Sequence, residues 1–135
     1  KPSFKLFEEL NTEFNKINKE EKLNQQLIPY FISSHPGCTE ADMAQLAVDT
    51  KAAGLQLEQV QDFTPTPMTT ATVMYYSGIN PDNLKPVYTA KTSAEKKAQN
   101  AFFFWYKPEF KNQIRKRLTQ LKRPDLAAKL LDKKR

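Results

Sequence analysis

Two short apolar runs flank a segment that has helix periodicity and clear start and stop signals. The runs cover residues 27–32 and 59–63, and each ends in residues typical of turns. Between them, Thr39 and Asp42 have the spacing of a capping box, and Gly54 follows the last turn of the apolar stripe. A strand, a helix and a strand within about 35 residues predict a parallel βαβ unit.

Most of the remaining chain is predicted to be helical. Further helices are predicted over residues 4–20, 69–76 and 92–106, from 108 onwards and over 124–131. The stripe Phe4, Phe7, Leu10, Phe14, Ile17 marks the inner face of the first helix, and Met43, Leu46, Ala47, Thr50, Ala53 mark that of the βαβ helix. In the 92–106 helix, Phe102 and Trp105 share a face, whereas Phe103 and Phe104 point elsewhere.

One βαβ unit is too small to cover both faces of its own sheet. The chain offers a single further strand candidate, residues 87–89. This shortage of strands, with a start at Lys1 rather than Met, predicts a piece of a longer polypeptide.

The composition narrows the environment and the possible chemistry. Cys38 is the only cysteine, so an intramolecular disulfide is impossible and a reducing, cytoplasmic location is expected. No apolar run approaches the roughly 18–20 residues that a membrane span requires, so no membrane partner is expected. The sequence has no glycine-rich phosphate loop, GxSxG, HExxH or CxxC motif.

Positive charge is concentrated at the C-terminal end. Residues 1–106 carry 10 basic and 12 acidic side chains, and residues 107–135 carry 11 basic and 3 acidic ones, which gives net charges of −2 and +8. Such a region contacts nucleic acid or another macromolecule, or is a solvated helix surface. The candidate nucleic-acid contacts, with RNA or another macromolecular substrate as the partner in that alternative, are Lys111, Arg115, Lys116, Arg117, Lys122 and Arg123.

Polar and aromatic residues follow both predicted strands. Ser33 and His35 follow the first, and Asp62, Phe63 and Thr64 end the second. Because the carboxyl ends of parallel strands meet at one edge, these residues are predicted to surround one opening. His35 is either an acid, base or ligand, or it makes a turn-stabilising hydrogen bond before Pro36. Phe63 lies either beside a purine or in the core.

Three motifs resemble those of YgiQ-type radical S-adenosylmethionine (SAM) proteins. They read PYFIS-x-HPG, VQ-x-F-x-P-x-P and MYY-x-G-x-NP, and lie within residues 27–81. One departure is Cys38, where the related loop of radical SAM methylthiotransferases usually carries Glu, so the roles of that Glu do not transfer.

The resemblance implies a fold, a chemistry and a set of site residues. The full protein would hold a [4Fe–4S] cluster on a CxxxCxxC motif upstream of this chain and would cleave SAM reductively. The cofactor-side residues implied here are Ser33, His35, Asp62, Phe63 and Thr64, with Gln61 or Asp62 facing substrate.

The expected architecture is α/β and has two parts. Residues 1–81 form a βαβ end-piece of a partial (β/α) radical SAM barrel, and residues 82–135 form a basic, helical C-terminal extension. The chain alone would bind neither cofactor and would dock on the preceding part of the same polypeptide, or self-associate without it. The alternative is a nucleic-acid-binding or interaction module that uses the basic helices.

Overall fold

The structure is a computed structural model that describes residues 4–131. Residues 1–3 and 132–135 of the two expected parts lie outside the described residues. The elements, in chain order, are α1 (Phe4–Glu20), β1 (Ile32–Ser33), α2 (Glu40–Ala52), β2 (Gln61–Asp62), α3 (Thr70–Ser77), α4 (Ser93–Ala101), a 3₁₀ turn (Phe102–Phe104), α5 (Pro108–Gln120) and α6 (Pro124–Leu131).

The predicted parallel βαβ unit is confirmed. β1 and β2 pair in parallel, with Ile32 opposite Gln61 and Ser33 opposite Asp62, and α2 connects them. Both strands are shorter than the apolar runs that predicted them. Each has a single neighbour within the described residues, so few backbone groups enter a ladder. Pro29 also lacks the N–H that a ladder needs.

Local capping signals define the helix ends. Thr39 and Asp42 form the predicted capping box at α2, and Thr92 forms the corresponding box at α4 with Glu95. The hydrogen bonds from Thr39 lower the pKa of the Asp42 carboxyl. Gly54 follows α2 with φ +75°, where a residue with a Cβ is strained. These residues therefore mark the starts of α2 and α4 and the end of α2 through interactions within a few residues.

Two secondary-structure predictions are wrong. Residues 87–89 form no strand, and the nearest pairing is an isolated antiparallel bridge between Ile79 and Pro86. The two hydrogen bonds of this bridge run from the N–H of Asn80 to the carbonyl of Lys85 and from the N–H of Val87 to the carbonyl of Gly78. Helix α3 ends immediately before Gly78, so residues 88–89 have no strand to pair with. The helix predicted over 92–106 ends at Ala101 and continues as the tighter 3₁₀ turn. This turn buries Phe103 together with Phe102, although the prediction placed Phe103 off the face of Phe102.

The core lies among α2, the 3₁₀ turn, α5 and α6. Its buried side chains are Met43, Ala44, Ala47, Leu57, Phe102, Phe103, Ile114, Leu118, Leu126 and Leu130. The predicted inner stripe of α2 is correct at Met43, Ala47 and Thr50, which are buried. It is wrong at Ala53, which is exposed because α2 ends one residue earlier. The aromatic run around Phe102 is thus mainly core.

The apolar stripe of α1 is largely uncovered. The bounds of this helix match the prediction, and Phe7 and Phe14 are half-buried. Leu10 and Ile17 remain 58% and 47% exposed, because no described element packs over them. The side chain of Phe4 lies outside the described part of the chain. Among residues 4–131, no helix combines the length and the apolarity needed to cross a bilayer.

A side-chain ion pair joins the βαβ unit to the C-terminal helices. Glu40, at the start of α2, is 8% exposed and accepts hydrogen bonds from Nε of Arg117 on α5, at 2.9 Å, and from its Nη2. This pairing raises the pKa of the Arg117 guanidinium. Without Arg117, the carboxylate would be left in a mostly dry environment.

Replacement of Arg117 should therefore destabilise the chain. We expect Arg117→Met to lower the free energy of unfolding by about 1–3 kcal/mol, since a buried acceptor loses its charged donor. The control Lys116→Met, on the exposed side of the same helix, should change it by less than about 0.5 kcal/mol. Urea unfolding measures both values, and equal losses in the two variants would contradict the prediction.

Candidate functional site

Ser33 and Asp62 lie side by side on the helix-covered face of the sheet. Ser33 is fully buried, and its Oγ donates a hydrogen bond of 2.5 Å to Oδ1 of Asp62. Asn100 on α4 donates from Nδ2 to the same oxygen at 3.5 Å and to the carbonyl of Val60 at 3.3 Å. These side chains therefore join β1, β2 and α4, and do not face the predicted opening.

His35, Phe63 and Thr64 lie at the carboxyl end of the sheet. The rings of His35 and Phe63 meet edge to face with centroids 5.2 Å apart, and Tyr75 on α3 lies 5.7 Å from Phe63 on another side. His35 and Thr64 are exposed, whereas Phe63 is only 9% exposed. The structure brings His35 and Phe63, which follow the two strands, into contact, and Thr64 follows Phe63 directly.

His35 makes the turn hydrogen bond that was one of its two predicted roles. Its Nδ1 lies 2.9 Å from the carbonyl oxygen of Pro36. A carbonyl only accepts, so Nδ1 donates and the neutral ring keeps its acceptor at Nε2. The exposed ring can thus accept one hydrogen bond from a molecule at the opening.

The loop between β1 and α2, residues 34–38, is held by residues much later in the chain. The backbone N–H of Ser34 donates to Oε1 of Gln99 at 3.0 Å, and Nε2 of Gln99 donates to the carbonyl of Cys38 at 3.1 Å. Gln99 is fully buried. The N–H of Gly37 donates to the carbonyl of Tyr88 at 2.9 Å. Sequence reasoning missed Gln99, and its only signal was a polar residue between Ala98 and Ala101.

Ser34 has two unfavourable properties. Its φ is +62°, which is strained for a residue with a Cβ. Its hydroxyl is buried and has no hydrogen-bond partner among the described residues. Such a residue is tolerated only where its surroundings hold it in place.

The opposite face of the sheet is open. Ile28, Tyr30 and Ile32 lie in β1 and the segment before it, alternate with less exposed residues, and are 80%, 70% and 42% exposed. Gln61, opposite Ile32, is exposed as well. On the covered side, Phe31 contacts Phe103 with ring centroids 5.9 Å apart. The sheet therefore has one packed face and one bare, partly apolar face.

The six predicted nucleic-acid contacts do not line up. Arg117 is paired with Glu40, and Arg123 with Asp125 at 2.8 Å, which lowers the pKa of Asp125 to about 2. Successive residues of an α-helix are about 100° apart around its axis. On α5 this places Lys111 and Arg115 beside the buried stripe and Lys116 on the outer side of the helix. Lys122 lies beyond the end of α5. This arrangement is typical of a solvated helix surface.

Residues 4–131 contain no group of three or more His, Cys, Asp or Glu side chains that could hold a metal ion.

A family model described as "Domain of unknown function (DUF3362)" matches residues 58–132, which is more than half of the chain. The chain belongs to this family. The matched DUF3362 region begins just before β2 and includes Tyr88, Gln99 and Asn100, whereas the 34–38 loop that these residues contact precedes it.

The chain is also similar to longer proteins, each named "UPF0313 protein". Identity is 59% over 98% of the chain for the protein of Porphyromonas gingivalis, 60% over 99% for that of Bacteroides thetaiotaomicron and 43% over 93% for that of Methanocella arvoryzae. The aligned part is 21%, 22% and 21% of these relatives, so the chain spans about a fifth of their length and is a region of a larger protein. No solved structure matches the chain significantly.

The neighbouring serines Ser33 and Ser34 should respond oppositely to loss of their hydroxyls. We expect Ser33→Ala to lower the free energy of unfolding by about 1–2 kcal/mol, because a buried hydrogen bond to Asp62 is lost. Ser34→Ala should leave it unchanged or raise it by about 1 kcal/mol, because a buried unpaired hydroxyl disappears while the backbone strain stays the same. Denaturant unfolding of both variants measures this, and a clear loss in Ser34→Ala would contradict it.

Proposed function

We propose that this chain is the C-terminal part of a radical SAM enzyme, where it supplies the last two strands of a partial barrel and one side of the SAM and substrate site. The observation that carries the proposal is the parallel β1–β2 pair, whose carboxyl ends bear the YgiQ-type motifs and whose second face is uncovered. In a barrel, one face of each strand packs against the outer helices and the other faces the interior. A strand pair with one covered and one bare face suits that position.

The backbone of β1 has a further pairing edge. The carbonyls of Phe31 and Ser33 accept hydrogen bonds from β2 at 3.1 and 2.8 Å. Successive residues of a strand direct their backbone groups to opposite edges, so those of Ile32 point away from β2. A preceding parallel strand would pair at this free edge of β1. α1 would then be the crossover helix, and its exposed Leu10 would be covered. The relatives are about five times as long as this chain, which is long enough to contain such strands.

The described residues would take different roles at the opening. Phe63, fixed between His35 and Tyr75, would form a rigid wall beside the adenine, while Thr64 and Nε2 of His35 would offer polar contacts. Gln61, on the bare face, would point to substrate. Ser33 and Asp62 would hold the strand ends in place through their mutual hydrogen bond rather than contact the cofactor.

The described residues would supply the adenosyl side of the cofactor site and not the cluster. A [4Fe–4S] cluster takes cysteine thiolates, and this chain has one cysteine, Cys38. The cluster motif would therefore lie in the remainder of the polypeptide. Cluster-bound SAM would supply the radical chemistry, and this chain would supply positioning and exclusion of water.

Anaerobic reconstitution of the full-length polypeptide tests the proposal. We expect it to bind a [4Fe–4S] cluster and to release 5′-deoxyadenosine from SAM on reduction, whereas the 135-residue chain alone should do neither. Phe63→Ala should raise the dissociation constant for SAM about tenfold, the scale of losing one well-packed aromatic contact. Leu84→Ala, which removes an exposed apolar side chain elsewhere, is the control. A full-length protein that holds no cluster would contradict the proposal.

The bare face gives the isolated chain a property of its own. We expect it to self-associate and to bind an apolar dye, because Ile28, Tyr30 and Ile32 form a contiguous exposed apolar row. Ile28→Lys with Ile32→Lys should reduce both effects, measured by sedimentation and fluorescence. Asn112→Lys with Gln113→Lys adds the same charge on the exposed side of α5 and should leave both unchanged. A wild-type chain that is monomeric and does not bind dye would contradict the bare-face assignment.

A further inference from the structure

We infer that the DUF3362 region has a positioning role: Gln99, with Tyr88 and Asn100, sets the conformation of the 34–38 loop and of the two strand ends, and so shapes the side of the site that faces SAM. This inference rests on the proposed function for the identity of the ligand. The contacts that carry it are hydrogen bonds within the described residues and do not depend on that identity.

The DUF3362 region contacts both ends of the loop and a point near its middle. Gln99 accepts from the N–H of Ser34 at 3.0 Å and donates to the carbonyl of Cys38 at 3.1 Å. Between these positions, the N–H of Gly37 donates to the carbonyl of Tyr88 at 2.9 Å. His35 lies inside the loop, so the direction of its ring depends on these three bonds.

The next residue of α4 acts on the second strand. Asn100 donates to the carbonyl of Val60 and to Oδ1 of Asp62, at 3.3 and 3.5 Å. Asp62 immediately precedes Phe63, the ring against which His35 packs. Two consecutive amides of one helix therefore contact the ends of both strands, and a shift of α4 would move His35 and Phe63 together.

The chemistry of Gln99 favours positioning over simple packing. A fully buried carboxamide must exchange water for protein partners, and it gains little net stability from doing so. An apolar side chain would fill the same volume without that cost. The amide instead fixes the orientation of the groups around it, because its oxygen only accepts hydrogen bonds and its nitrogen only donates them. Ser34, strained at φ +62°, is the residue that its oxygen holds.

The test uses the full-length, cluster-loaded polypeptide with Gln99→Met, which nearly keeps the side-chain volume and removes both hydrogen bonds. The control is Gln113→Met, at an exposed amide on α5. Hydrogen–deuterium exchange, iron content and the dissociation constant for SAM are measured for each. We expect faster exchange confined to residues 33–38, unchanged iron content, and SAM binding weaker by about tenfold, the scale at which residues that touch no ligand modulate a site.

The outcomes separate this inference from the proposed function. Faster exchange in the loop with an unchanged dissociation constant would overturn the positioning role and leave the proposed function standing. Exchange that rises equally in α2, α5 and α6 would overturn it as well, because Gln99 would then be only a packing residue. A wild-type protein that binds neither cluster nor SAM would remove the proposed function, and the inference with it. If Gln99→Met fails to fold, Asn100→Ala, which releases only the second strand, replaces it. Faster exchange is then expected at residues 60–63, and the criterion for SAM binding is the same.

Discussion

A parallel sheet of two strands has two faces and few hydrogen bonds, and this constraint governs the rest of the structure. α2 connects the strands, and the helices of the DUF3362 region complete the cover of the same face, where Phe31 meets Phe103. On the other face, Tyr30 and Ile32 remain 70% and 42% exposed. A two-residue ladder stabilises little by itself, so the strands depend on the helix core behind them.

The covered face also contains the polar groups that give the strand ends their geometry. Ser33, Asp62 and Asn100 share one cluster, and Gln99 connects the loop after β1 to α4. Buried polar groups of this kind cost desolvation and contribute orientation rather than large net stability.

The sequence predictions succeeded where the interacting residues are close in sequence and failed where they are far apart. The capping boxes at Thr39 and Thr92 and the stop at Gly54 are decided by neighbours within a few residues, so they could be predicted. The turn that buries Phe103 depends on partners far along the chain, such as Phe31. Ser33 was placed at the opening because its position follows a strand, but its side chain alternates to the helix-covered face.

The sequence by itself determined the order of elements, the parallel βαβ unit and the uneven charge, because periodicity, caps and composition are local properties. Only the tertiary structure decided which face of the sheet is bare, that Arg117 serves Glu40 rather than an open basic surface, and that Gln99 holds the 34–38 loop. The physical reason is that a long-range hydrogen bond or ion pair leaves no periodic trace: Gln99 and Ser34 are 65 residues apart, and either could have faced water as well.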